Sequence, residues 1–82
     1  MPRYYFDTCD GETFVVDDEG IELAGLQSAR YAATQALGEM AKDALPGAVR
    51  RELFVEVRGD EKPLIRAVLS LEVIRLGQEG TR

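Results

Sequence analysis

The stretch from Arg51 to Leu76, "RELFVEVRGDEKPLIRAVLSLEVIRL", alternates apolar and polar residues on either side of a turn, and this limits the possible folds more than any other feature of the chain. Successive side chains of a strand point to opposite faces, so such alternation marks a strand with one buried and one open face. Leu53, Val55 and Val57 share one face of the first run; Ile65, Ala67, Leu69, Leu71 and Val73 share one face of the second. Setting Val57 opposite Ile65 brings Val55 to Ala67 and Leu53 to Leu69, and it places Glu56 opposite Arg66 on the other face. That register is the expected one, because a slip of one residue would turn a whole apolar set towards water. "RGDEKP" is the turn, and the last strand is expected to run through "LIRAVLSLEVIRL".

The amino-terminal part reads as a second hairpin. "RYYFDTCD" is aromatic-rich and extended, Asp10-Gly11 is a turn signal, and "TFVV" returns. A two-residue loop sets Phe6 opposite Val15. A three-residue loop sets Phe6 opposite Val16 and Thr8 opposite Phe14, gathering Tyr4, Phe6, Phe14 and Val16 on one face. The second arrangement is expected, since one apolar face makes a core. "DDEG" closes the strand in water, with Gly20 turning the chain, and "IEL" is an extended link pointing Ile21 and Leu23 inward.

Between Gly25 and Ala44 the period changes. Leu26, Ala29, Ala33, Leu37, Met40 and Ala44 recur at steps of three or four, as on the buried stripe of an amphipathic helix. Alanines dominate that stripe and allow close approach to a sheet. "LPG" ends the helix, because proline cannot extend it. Two hairpins are not stable alone in water, so both must share the helix. The expected fold is α+β: a β-β-α-β-β order giving a four-stranded antiparallel sheet with one helix packed on one face. Residues 1–76 make a single domain, and residues 77–82 a flexible tail.

Charge and residue types narrow the chemistry. The net charge is −5, and residues 1–24 carry seven acids against Arg3 alone. Residues 49–82 carry seven bases interleaved with six acids, which dilutes any phosphate-binding face, so nucleic acid is not the expected partner. The chain has no histidine and a single cysteine, Cys9, which removes thiolate–imidazole nucleophiles and the usual zinc sites. Asp17, Asp18 and Glu19 are adjacent and diverge, whereas calcium ligands alternate so as to converge. Nothing in the pattern suggests burial of Asp7, Asp10 or Asp17 as an acid–base pair, and "GDEKP" lacks the pattern of a phosphate-cradling loop. Tyr4, Tyr5 and Phe6 are flanked by acids, not by the bases that accompany nucleobase-stacking aromatics. No catalytic residue, metal ligand or cofactor is expected. With no apolar run long enough to span a membrane, no signal-peptide pattern and one cysteine, the expected setting is the cytoplasm.

One helix covers one face of a four-stranded sheet and leaves the other bare. Tyr5, Phe54, Val68 and Ile74 lie on the bare side and are the candidate interface. The long last strand also leaves an edge that soluble proteins usually protect. A homodimer through that face or edge is expected, with Asp17, Asp18 and Glu19 as a candidate surface for a basic partner.

The motif "MPRYYFD…DG…F…DDEGIEL…L…AR…A…AL…MA…DALPG" resembles small bacterial proteins, abundant in soil and root-nodule alphaproteobacteria, that are known only as a domain of unknown function. The likeness continues loosely through "LFVEVRGDEKPLIRAVLSLEV". It implies a stand-alone cytoplasmic domain and brings no activity or ligand with it. A weaker likeness is to the amino-terminal half of HicB-type antitoxins, in which a hairpin and an alanine-rich helix cover a toxin. Here the "PDLPGC"-like segment of those proteins is missing. That resemblance implies an inhibitor of a basic, nucleic-acid-cleaving partner.

Overall fold

A computed structural model describes residues 1–77. The strands are β1 (Arg3–Cys9), β2 (Phe14–Val15), β3 (Ile21–Glu22), β4 (Arg50–Arg58) and β5 (Pro63–Glu72), with one helix, α1 (Leu26–Ala44), between β3 and β4. All pairings are antiparallel, in the order β2-β1-β4-β5, with β3 also on β1. The class is therefore α+β, and the chain order is β-β-β-α-β-β. The additional strand is the segment expected to be a link: Ile21 pairs with Tyr4 and Glu22 with Arg3. Of the expected tail, residues 78–82 lie outside the described residues.

The β4–β5 register is the one the alternation predicts, with Val57 on Ile65, Val55 on Ala67, Leu53 on Leu69 and Glu56 on Arg66. The strand ends at Glu72 rather than Leu76, although the Val73 amide still donates to the Val49 carbonyl at 2.8 Å.

The first hairpin departs from expectation. Cys9 pairs with Phe14 and Thr8 with Val15, so four residues, Asp10 to Thr13, form the loop. The cause is the Asp10 side chain, whose Oδ1 accepts from the amides of Glu12 at 2.9 Å and Thr13 at 2.8 Å. A carboxylate bonded to its own backbone in this way fixes the turn. Gly11 takes φ +99°, and a Cβ there would sit 2.1 Å from Cδ of Arg51. Phe14 consequently joins Cys9 on the face away from the helix, and Val16 is exposed.

The core is thin. Tyr4, Ala29, Ala33, Leu37, Leu53, Val55 and Val57 are buried, and Phe6, Leu23, Met40, Ile65, Ala67 and Leu69 are half-buried around them. Ala29 and Ala33 are fully enclosed, so the helix axis lies close to the sheet at the alanine stripe. Besides Phe14 and Val16, three residues expected inside are not: Leu26, in the first turn of α1, Ile21, at the sheet margin, and Val73, just past β5, are exposed. Leu23 packs against the core instead. Arg51 ties the far end of the helix down by donating to the Ala44 carbonyl at 3.1 Å. A cation there also suits the negative end of the helix dipole.

Candidate functional site

The sheet face away from α1 carries the two arrangements that bear on function. One is a polar cluster built on Asp7, the only buried charged residue among the described residues. Arg58, opposite Tyr5 and so diagonal to Asp7 across β1 and β4, donates from Nε to Asp7 Oδ2 at 2.8 Å and from Nη2 to Asp7 Oδ1 at 3.4 Å. The Asp17 amide donates to Asp7 Oδ1 at 2.9 Å, and the Asp17 carbonyl accepts from Arg58 Nη2 at 2.7 Å. The Asp17 carboxylate accepts from the amides of Phe6, Glu19 and Gly20 at 3.0, 3.0 and 3.1 Å. Gly20 completes the turn at φ +74°, where a Cβ would meet Tyr5, Arg3 and the Tyr4 carbonyl at about 3 Å.

Burial is the largest single influence on the Asp7 carboxyl and pushes its pKa up. Hydrogen bonds from Arg58 and the Asp17 amide, with the Arg58 charge, outweigh it and hold Asp7 below the ordinary 3.8. Burial likewise pushes Asp17 up, and the three backbone amides on its carboxylate bring it below the ordinary value. Both are anions at neutral pH, and each of their oxygens has a donor. The cluster is a clasp that holds the β2–β3 loop onto β1 and β4. Asp17, expected in solvent with Asp18 and Glu19, is turned inward; only Asp18 and Glu19 remain exposed. Asp7, expected in water, is buried. Its partner stands 51 positions along the chain, so no local pattern announces it. Among the described residues no group of three or more acids or cysteines is placed to hold a metal ion.

The second arrangement is an apolar row across four strands. Phe14 pairs with Cys9, Cys9 with Phe54, and Phe54 with Val68. The Phe14 and Phe54 rings reach towards each other across the strand bearing Cys9, with centroids 6.1 Å apart. Phe14 and Val68 are each about half exposed, 54% and 51%. Arg66 lies 4.0 Å over the Phe54 ring while bonding Glu56 at 2.6 Å, and Arg58 lies 4.7 Å over Tyr5. Guanidinium groups thus shield both aromatics without covering the face. Of the candidate interface, Phe54 and Val68 are direct neighbours. Tyr5 sits apart under Arg58, and Ile74, exposed, lies beyond the last residue of β5. Phe14 was missed because its face depends on loop length; "DGET", an aspartate three residues before a threonine, is the signal that would have placed it.

A family model described as a domain of unknown function (DUF6894) matches residues 3–70. The chain belongs to that family. The match takes in every strand and the helix of this DUF6894 domain, apart from the last two residues of β5. No curated protein and no solved structure matches it. Nothing in these comparisons shows the likeness to HicB-type antitoxins. No helix among the described residues is long and apolar enough to cross a membrane.

Proposed function

We propose that this DUF6894 domain is a non-enzymatic protein-interaction module that works in the cytoplasm as a homodimer. The observation that carries the reading is the uncovered side of the sheet: an apolar row of Phe14, Phe54 and Val68, the first and last about half exposed, that runs out to a long outer strand. Apolar patches rimmed by polar groups mark association sites more often than chance surface does. The Asp7–Asp17–Arg58 clasp supports the reading from the other side, since its carboxylates are ionised and engaged in holding a loop. Asp18 and Glu19 are left as the acids a basic partner would meet.

Native mass spectrometry of the protein taken from its own cells tests the proposal. The expected species is about 18 kDa, twice the 9.1 kDa chain. A 9.1 kDa species alone, at concentrations up to those of the cell, removes the homodimer. A complex with a different, basic chain supports the antitoxin-like alternative.

A further inference from the structure

The outer edge of β5 is long, regular and bare. Its ladder with β4 runs without interruption from Val57↔Ile65 to Arg50↔Glu72, and the one irregularity falls at Val57/Arg58, beside the turn. Among the described residues no strand lies on its other side. Bulges, prolines, inward-pointing charges and edge lysines are the usual protection of an edge; between Ile65 and Glu72 this strand has none of these, and its two charges, Arg66 and Glu72, lie on the outer face with opposite signs. The inward-facing Ile65, Ala67, Leu69 and Leu71 are only half-buried, because the helix covers β4 more fully than β5.

We propose that β5 pairs antiparallel with β5 of a second copy, about a two-fold axis through Leu69, forming one continuous sheet. The inference rests on the homodimer reading above and puts the contact at the outer edge of β5, leaving Phe14 and Phe54 outside it. A two-fold axis perpendicular to the sheet keeps both helices on one side and pairs like faces with like. With the axis at Leu69, the inner face sets Leu69 against the partner's Leu69, Ala67 against the partner's Leu71, and Ile65 against the partner's Val73. On the outer face Leu64 meets the partner's Ile74, Val68 meets the partner's Ser70, and Arg66 meets the partner's Glu72. Exposed Leu64, Val73 and Ile74 each gain an apolar neighbour.

Charge selects this register. Within one copy Arg50 pairs with Glu72 at 2.6 Å and Arg66 with Glu56 at 2.6 Å. Joined at Leu69, these pairs become one ladder across four strands: Arg50, Glu72, the partner's Arg66, the partner's Glu56. The signs alternate throughout, and symmetry supplies the ladder twice. An axis at Val68 would instead set Glu72 against Leu64 and Arg66 against Ser70. An axis at Ser70 would set Arg66 against Ile74 and Glu72 against Val68. Strands β4 of the two copies would then lie roughly 14 Å apart, wide enough for two helices of about 10–12 Å diameter side by side.

Reciprocal charge reversal tests the register. Arg66→Glu places like charges opposite each other at both ends of the interface, and so does Glu72→Arg. Each chain alone should sediment as a monomer where wild type is a dimer, and an equimolar mixture should recover the dimer. Residue 66 facing residue 72 across the interface predicts that rescue. Each reversal also sets like charges within its own chain, against Glu56 or Arg50, but both altered side chains are about half exposed, so far-UV circular dichroism should match wild type. Should either reversed chain misfold, Glu72→Gln removes the charge without changing shape and should weaken the dimer about tenfold. A wild-type dimer unaffected by these changes but lost in Phe54→Ser overturns the edge pairing and leaves the homodimer reading standing. A monomeric wild type overturns both.

Discussion

Asp7 shows how one side chain can decide a local structure that its neighbours in sequence do not reveal. Replacing it with Asn leaves Arg58 beside a neutral amide and deprives the Asp17 amide of its acceptor carboxylate. Removing one partner of a largely buried hydrogen-bonded pair costs about 1–3 kcal/mol, which a urea titration at neutral pH would show as a lower midpoint. The pH dependence has a definite sign. Asp7 and Asp17 are held below 3.8 in the fold, so their contribution to stability is fully present above that value. It is lost as the pH falls through their lower folded values. Wild type should lose stability steeply below roughly pH 4, and Asp7→Asn should lose less over the same range. Gly20→Ala should cost about 1–3 kcal/mol in thermal unfolding, since alanine must take a left-handed conformation against Tyr5 and the Tyr4 carbonyl. In the sequence these acids read as solvent-facing. Glu19 and Gly20 are local turn partners of Asp17, but Arg58 and the Phe6 amide share no periodicity with these acids, and only the folded chain brings them together.

The helix and the β4–β5 hairpin were legible because each has a single apolar period long enough to exclude other registers. Leu53, Val55 and Val57 find their predicted partners, and Ala29, Ala33 and Leu37 are buried as the three-four spacing requires. The β1–β2 hairpin was not, because its return strand is two residues long and the Asp10 side chain, not apolar matching, sets the loop. The close approach of helix and sheet makes a testable demand on Ala33. Ala33→Leu should cost about 1–3 kcal/mol by forcing the layers apart, measured by thermal denaturation against a neutral Tyr31→Ala control on the exposed side of the helix. The start of α1 offers the opposite opportunity. Its N-cap, Gly25, is extended, makes no side-chain cap, and has open space around its missing Cβ; the first turn has no acid. Gly25→Asp should therefore stabilise the fold by about 0.5–1 kcal/mol, raising Tm by a few degrees.

At the scale of the whole molecule, a single helix and a thin core leave much of the sheet unfinished: one face carries Phe14, Phe54 and Val68 in partial contact with water, and one edge carries β5. A small domain keeps a narrow margin of stability, so pairing two such edges would contribute to the fold itself as well as to its function. Amide hydrogen exchange of the wild-type protein at low and high concentration tests this most directly. A lone β5 has alternate amides bonded to β4 and the rest open to water, so only every second residue from Leu64 to Val73 is protected. The account predicts that the remaining amides of that strand slow markedly at high concentration, with those of α1 little changed. Outward-facing β5 amides that exchange equally fast at every concentration would contradict it.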